Sequence, residues 1–193
     1  RTALVRGQRR GAPVALMMID IDHFKQINES LGSAAGDDLL RSIAARLGEK
    51  LHTLDTVARL SSDSFTALLE ELTSTNELVA VAQQVLEAIA RPIRVAGNDL
   101  YLTASIGISC YPQDGTDPDA LIHAAEFAMR SAIEEGRNTY CFHSAELHRL
   151  AIEARELRNQ LRRALENEEF HLNYQPRVDI ASGRIIGAEA LVR

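Results

Sequence analysis

The chain of 193 residues has no excess of positive charge: 21 Lys and Arg stand against 27 Asp and Glu, a formal net charge of −6. Without a basic surplus nothing displaces counterions from a phosphate backbone, which argues against general binding to a nucleic-acid polymer. Long apolar runs are missing too. The longest, VALMMI at residues 14–19, falls far below the roughly 20 residues that span a bilayer, so no membrane segment is expected within this chain. No signal peptide reads from its first residues. Cysteine is scarce. Cys110 and Cys141 lie far apart without metal-ligand spacing, and read as reduced thiols on or near strands of a cytoplasmic protein. The six histidines form no ligand cluster in the sequence, and most read as surface residues.

What is there is the makeup of a folded globular protein, 46% hydrophobic and 25% charged. The length suffices for one domain with a real core and a fragment of another. The opening RTALVRGQRRG reads as the tail of a helix and the end, EALVR, carries no stop signal; both ends are expected to be cuts through a longer protein. PVALMMIDID reads as a buried strand ending in carboxylates, and FKQINESLG as a short helix stopped by Gly32. GDDLLRSIAARLGEKL carries Leu39, Leu40, Ile43, Ala44 and Leu47 at the helical period. DTVARL and SFTALLEEL are strands around a polar turn. Residues 76–90 form a helix ended by Pro92, and LYLTASIGISCYP is a strand. DPDALIHAAEFAMRSAIEEGRN is a helix started by Asp117-Pro118 and stopped by Gly136, and TYCFH is a closing strand. The predicted class is α/β (α+β): a ferredoxin-like or polymerase-palm core, with an antiparallel central sheet flanked by helices.

Residues 144–169 are of another kind. Leu147, Leu150, Ala154, Leu157, Leu161 and Ala164 recur at spacings of three and four, a heptad seam. Two readings stay open: a connector that carries dimer contacts or rotation, or an amphipathic helix lying on its own domain. The expected division is a domain over 1–143, a connector helix over 144–169 and a β-hairpin over 170–193.

Asp20 and Asp22 end the first strand at its carboxyl edge, where α/β sheets tend to bind ligands. Two carboxylates suit a hard cation such as Mg²⁺, which takes carboxylate and phosphate oxygens. The plainer reading is that Asp22 only caps the helix beginning near His23. The turn Ser61-Ser62-Asp63-Ser64 reads as a hairpin tip, or as the remnant of a place where phosphates and metals met.

In order along the chain, IDIDHFKQIN, a following GD, RLSSDSF, SIGISCYPQDG and AAEFAMRSAIEEGRN resemble the GGDEF family of diguanylate cyclases, over roughly residues 10–143. FHLNYQPRVDIASGRIIGAEALVR, with YQP and EALVR, resembles the opening of an EAL phosphodiesterase domain. The resemblance implies a tandem GGDEF–EAL protein of bacterial cyclic di-GMP signalling. In that family two GTP-loaded domains face each other, and the 3′-hydroxyl of each GTP attacks the α-phosphate of the other. By position it implies Asp20, the Ile21 carbonyl and Asp63 as metal ligands. Asn28 and Asp37 would contact the guanine, and Arg137 would reach the phosphates. In the EAL part it implies Gln175 and Arg193 as ligand contacts and Glu189 as a metal ligand. Mg²⁺, GTP or cyclic di-GMP, an upstream sensory domain, the rest of the EAL domain and a second copy of the chain are the implied partners.

The chain departs from the family where chemistry happens. The pattern Gly-Gly-Asp/Glu-Glu-Phe is here Ser61-Ser62-Asp63-Ser64-Phe65. Glycines permit a tight turn and close approach of a ligand, and Ser64 removes a carboxylate. Ile133 stands where the family has a lysine, so a phosphate-binding cation is gone. His52 replaces the arginine of the inhibitory RxxD pair and offers no guanidinium fork. Ser33 stands where a histidine is common. The expectation is a degenerate GGDEF domain whose role is regulatory: to sense GTP, to dimerise, or to relay signals to an adjacent EAL phosphodiesterase. An active cyclase and a ligand-free dimerisation or docking module are the alternatives. Hydrolysis by this chain itself is not expected, since a barrel needs about 250 residues.

Overall fold

The computed structural model describes residues 2–51, 55–61, 63–70, 72, 74–95 and 97–193, and the elements below are those of these residues. They divide into two compact units, Arg1–Ala151 and Ile152–Arg193. The first is organised around β1 (Val14–Ile21). This strand is apolar on both faces because both are covered. Ala15, Met17, Ile19 and Ile21 enter one cluster with Leu39, Ile43 and Leu47 of α3 (Ser33–Lys50) and Val85 and Ile89 of α4 (Thr75–Ala90). Leu16 and Met18 meet Leu121 and Ala125 of α5 (Pro118–Glu134) on the other face. The period of two places Asp20 on this second face as well.

β2 (Thr56–Arg59), β3 (Ser64–Leu69), β6 (Ala104–Tyr111) and β7 (Thr139–Phe142) complete a sheet of order β2-β3-β1-β6-β7 among the described residues. Its pairs are antiparallel except β6 with β7. The expected antiparallel sheet is thus mixed at one edge, because the chain returns from β6 through the crossover helix α5, and a crossover sets its two strands parallel. α5 rests on β6 at backbone distance: a Cβ on Gly107 would stand 2.0 Å from the Ala125 carbonyl oxygen and 2.2 Å from the Met129 nitrogen.

Helix ends follow local chemistry. α1 (Thr2–Arg10) is the predicted helical lead-in. α2 (Phe24–Leu31) ends at Gly32, φ 85°. α3 then begins at Ser33, earlier than the GDDLL periodicity indicates. Asp117 caps α5 by accepting from the Asp119 and Ala120 N–H groups. The Arg46 guanidinium donates to the carbonyls of Ala88, Arg91 and Pro92, closing the end of α4. The strand expected over LYLTASIGISCYP starts only at Ala104. Asn98–Leu100 is β5, paired with β4 (Ile93–Val95) in a separate hairpin. A strand buried on both faces has no room for Tyr101, which is exposed.

α6 (Ala145–Glu166) begins in the first unit, where Leu147 and Ala151 are buried in the main core. Leu150, Leu157 and Leu161 of the predicted seam are exposed. In the second unit, β8 (Leu172–Val178) and β9 (Ile185–Val192) form the predicted hairpin. Among the described residues no helix is long and apolar enough to cross a membrane.

Candidate functional site

At the end of β1, Asp20 pairs in register with Ser64 of β3 on one side and Ser105 of β6 on the other. The Ser64 hydroxyl donates to Asp20 Oδ1 at 3.1 Å. The polar turn folds back onto the same point. The Leu60 N–H donates to the Ser64 carbonyl at 3.0 Å, and the Ile21 N–H to the Asp63 carbonyl at 3.1 Å. Arg59 Nε donates to the Ser61 carbonyl at 2.9 Å, and the Ser61 hydroxyl to Asp63 Oδ1 at 3.4 Å. Ser62 and His52 lie outside the described residues. Burial holds the Asp20 carboxyl above its usual range; the Ser64 hydrogen bond opposes this, the charges of Asp63 and Asp22 add to it, and Arg137 weighs against it. Asp20, Asp22, Asp63 and Arg137 therefore share one electrostatic site.

Asp22 is not a helix cap. The N-cap of α2 is His23, in a left-handed conformation with no side-chain capping bond. Asp22 is buried and its carboxylate accepts from the Thr103 hydroxyl at 2.6 Å, the Ser105 hydroxyl at 2.7 Å and the Asn138 N–H at 3.2 Å, with Arg137 Nε 4.0 Å away. The loop that supplies the last two carries three positive φ values in succession: Gly136 at 110°, Arg137 at 66° and Asn138 at 48°. For the two non-glycine residues this conformation costs about 1 kcal/mol or more each, which the charge-assisted bond to Asp22 offsets. Arg137 is thereby held beside the carboxylates. No local signal marked this anchor in the sequence: Thr103 and Ser105 lie 81 and 83 residues from Asp22.

The two residues implied for the guanine lie on successive helices. Asn28 of α2 packs against α3, with its amide oxygen buried and without a hydrogen-bond partner among the described residues. Asp37 is exposed at the mouth of a cleft of about 460 Å³ between α3 and the β2–β3 hairpin, with Leu40, Arg41, Arg59 and Phe65 among its walls. Ile133 is half-buried on α5. The Asp37 carboxylate accepts only, and so suits the N1–H and N2 amino donors of a guanine and opposes the N1 acceptor of adenine.

A hard cation fits the Asp20 end. Its carboxyl is held up by burial and neighbouring negative charge, a deficit of positive charge that a cation would fill. Asp20 and Asp63, which the resemblance implies as ligands, could hold it, while Asp22 already accepts from three donors. Bound there, Mg²⁺ would neutralise the phosphates of a triphosphate. A second gathering was hidden from spacing: Glu135, Cys141 and His148 bring an oxygen, a sulfur and a nitrogen within 4.8 Å of one another. His148 Nδ1 accepts the Phe142 N–H at 3.4 Å, and Nε2 faces Glu135 Oε1 at 3.7 Å. These contacts fasten the first turn of α6 to β7 and the end of α5. Neither cysteine is in a disulfide, and both are buried. Burial, with Asp114 nearby, pushes the Cys110 thiol up to about 12.

In the hairpin, Gln175 lies directly across from Glu189. Arg193, whose backbone exchanges both hydrogen bonds with His171, falls on the Glu189 face by the period of two.

The family model described as diguanylate cyclase, GGDEF domain, matches residues 1–139, and that for the EAL domain matches residues 158–193. The cyclic di-GMP phosphodiesterase NbdA of Pseudomonas aeruginosa is 38% identical over 184 residues, 95% of this chain and 23% of NbdA. The bifunctional diguanylate cyclase/cyclic di-GMP phosphodiesterase MucR of the same organism is 36% identical over 189 residues, 98% of this chain and 27% of MucR. The chain spans about a quarter of the length of these relatives. The crystal structure of the GGDEF domain of YfiN, also from P. aeruginosa, superposes with a TM-score of 0.71 at 36% identity, covering 73% of this chain and 88% of that one.

Proposed function

Because the chain belongs to the GGDEF family of diguanylate cyclase domains, with the opening of an EAL domain behind it, we propose that it is a GTP-binding GGDEF domain that no longer makes cyclic di-GMP and instead regulates the phosphodiesterase domain it precedes. The observation that carries this reading is the contact between Ser64 and Asp20 at 3.1 Å. A hydroxyl stands where the family places a carboxylate. It donates to Asp20, one of the two carboxylates left to hold a cation, and adds no charge, so the site retains too little negative charge to seat two cations. Both residues implied for the guanine are present: Asp37 lines the cleft, and Asn28 packs against Gly36, the residue before Asp37. Arg137 is held beside Asp22 with its guanidinium partly exposed, as a phosphate contact would require. GTP would regulate only by binding one conformational state better than another.

One observation favours a working cyclase instead. Asp20, Asp63 and Arg137 are still gathered at one point, which a single cation and a triphosphate could share. Two measurements separate the readings. The full-length protein is assayed for cyclic di-GMP hydrolysis with and without GTP, and the regulatory reading predicts a GTP-dependent rate. The chain is incubated with GTP and Mg²⁺, and the nucleotides are separated by chromatography. No cyclic di-GMP is expected, and its formation would establish the cyclase. Absence of GTP binding at millimolar concentration leaves the ligand-free docking module.

A further inference from the structure

Gly36 lies in the first turn of α3, one residue before Asp37 and facing α2. A Cβ built there would stand 1.8 Å from Asn28 Oδ1, 2.9 Å from Asn28 Cγ and 3.2 Å from Phe24 Cζ. The Asn28 amide thus occupies the hollow that the missing side chain leaves. Its oxygen is buried there without a partner among the described residues, so no hydrogen bond within those residues fixes that oxygen, and the shape of the hollow is what remains to set its position. Gly36 has ordinary helical geometry, and no positive φ demands a glycine. In such a place alanine is the better helix former, so the glycine is not there for the fold.

We infer that Gly36 is a positioning residue for base selection: it seats the Asn28 amide beside Asp37, and any larger side chain at 36 drives that amide out of reach of the guanine. This rests on the GTP-binding reading above and adds the element that sets the preference for guanine. What must yield to a Cβ is mainly the far end of a movable side chain, with a lesser adjustment at Phe24, and no backbone stands in the way. The consequence of Gly36→Ala therefore falls on recognition and not on folding.

The test is titration calorimetry of the chain with GTP and with ATP, each with Mg²⁺, on the parent sequence and on Gly36→Ala, Asn28→Ala and the double variant, with thermal melts alongside. The parent sequence is expected to prefer GTP. Gly36→Ala is expected to weaken GTP about ten- to a hundredfold, to leave ATP nearly unchanged, and to melt at the same temperature or higher. Asn28→Ala should do the same, and Gly36→Ala should cost nothing more once Asn28 is gone, because both act through one amide. Undiminished GTP affinity and preference in Gly36→Ala overturns the inference while the GTP-binding reading stands. So does a loss in the double variant equal to the sum of the single losses. If the parent sequence binds no GTP, or binds GTP and ATP alike, the underlying reading fails and takes this inference with it.

Discussion

Asp20 is held in an uncomfortable ionisation state by its surroundings. Burial and the charges of Asp63 and Asp22 raise its carboxyl pKa above the unfolded value. Its ionisation therefore works against folding as pH rises from the unfolded titration range through the folded one, and the loss is complete above the folded value. Asp20→Asn should raise the melting temperature at neutral pH and change little in acid below both values. Melts at two pH values check this, and an equal effect at both would contradict it. Asp22 has the opposite character. Asp22→Ala leaves the Thr103 and Ser105 hydroxyls and the Asn138 N–H without their acceptor, and should destabilise the domain by about 3 kcal/mol, read from the urea midpoint. At this scale the sequence showed which carboxylates sit together but not what they do. Asp22 was readable as a helix cap because its donors come from residues 103–138, a separation that no local pattern reveals.

Among the elements, periodicity was a good guide wherever burial followed it. The apolar run of β1 and the three-four spacing of α3 were plain in the sequence, because β1 packs two full faces and α3 one stripe into the core. The boundary of β6 was not, since Leu100 and Leu102 continue its alternation although Tyr101 between them is exposed. Along α6, Leu147 of the seam is seated, Ala151 outside it is seated too, and Leu157 and Leu161 are exposed. Two variants test how the helices are fastened. Gly107→Ala sets a Cβ against the backbone of α5, which cannot yield as a side chain can, and should cost about 3 kcal/mol or more. His148→Ala removes the contacts to Phe142 and Glu135 and should cost about 1 kcal/mol. Hydrogen exchange at the first turn of α6 should then quicken more than in β1. Uniform quickening across the domain would show that His148 is not a local fastener.

For the whole molecule, family and fold were legible because several separated segments appear in order, and the GGDEF and EAL matches agree with that order. The state of the site was legible only in part. Sequence alone shows that Ser64 replaces an acid; it does not show that the hydroxyl turns inward to Asp20, nor that Gly36 makes room for Asn28. Both depend on how neighbouring elements approach. Restoring glycine at 61 and 62 and glutamate at 64 returns the acid and opens the turn. If those losses alone silence the site, the triple variant should form cyclic di-GMP from GTP while the parent sequence forms none. The most direct measurement is equilibrium dialysis of labelled GTP against the chain with Mg²⁺, followed by chromatography of the nucleotide on the protein side. The account predicts that GTP is retained and recovered as GTP. Recovery as cyclic di-GMP, or no retention at all, would contradict it.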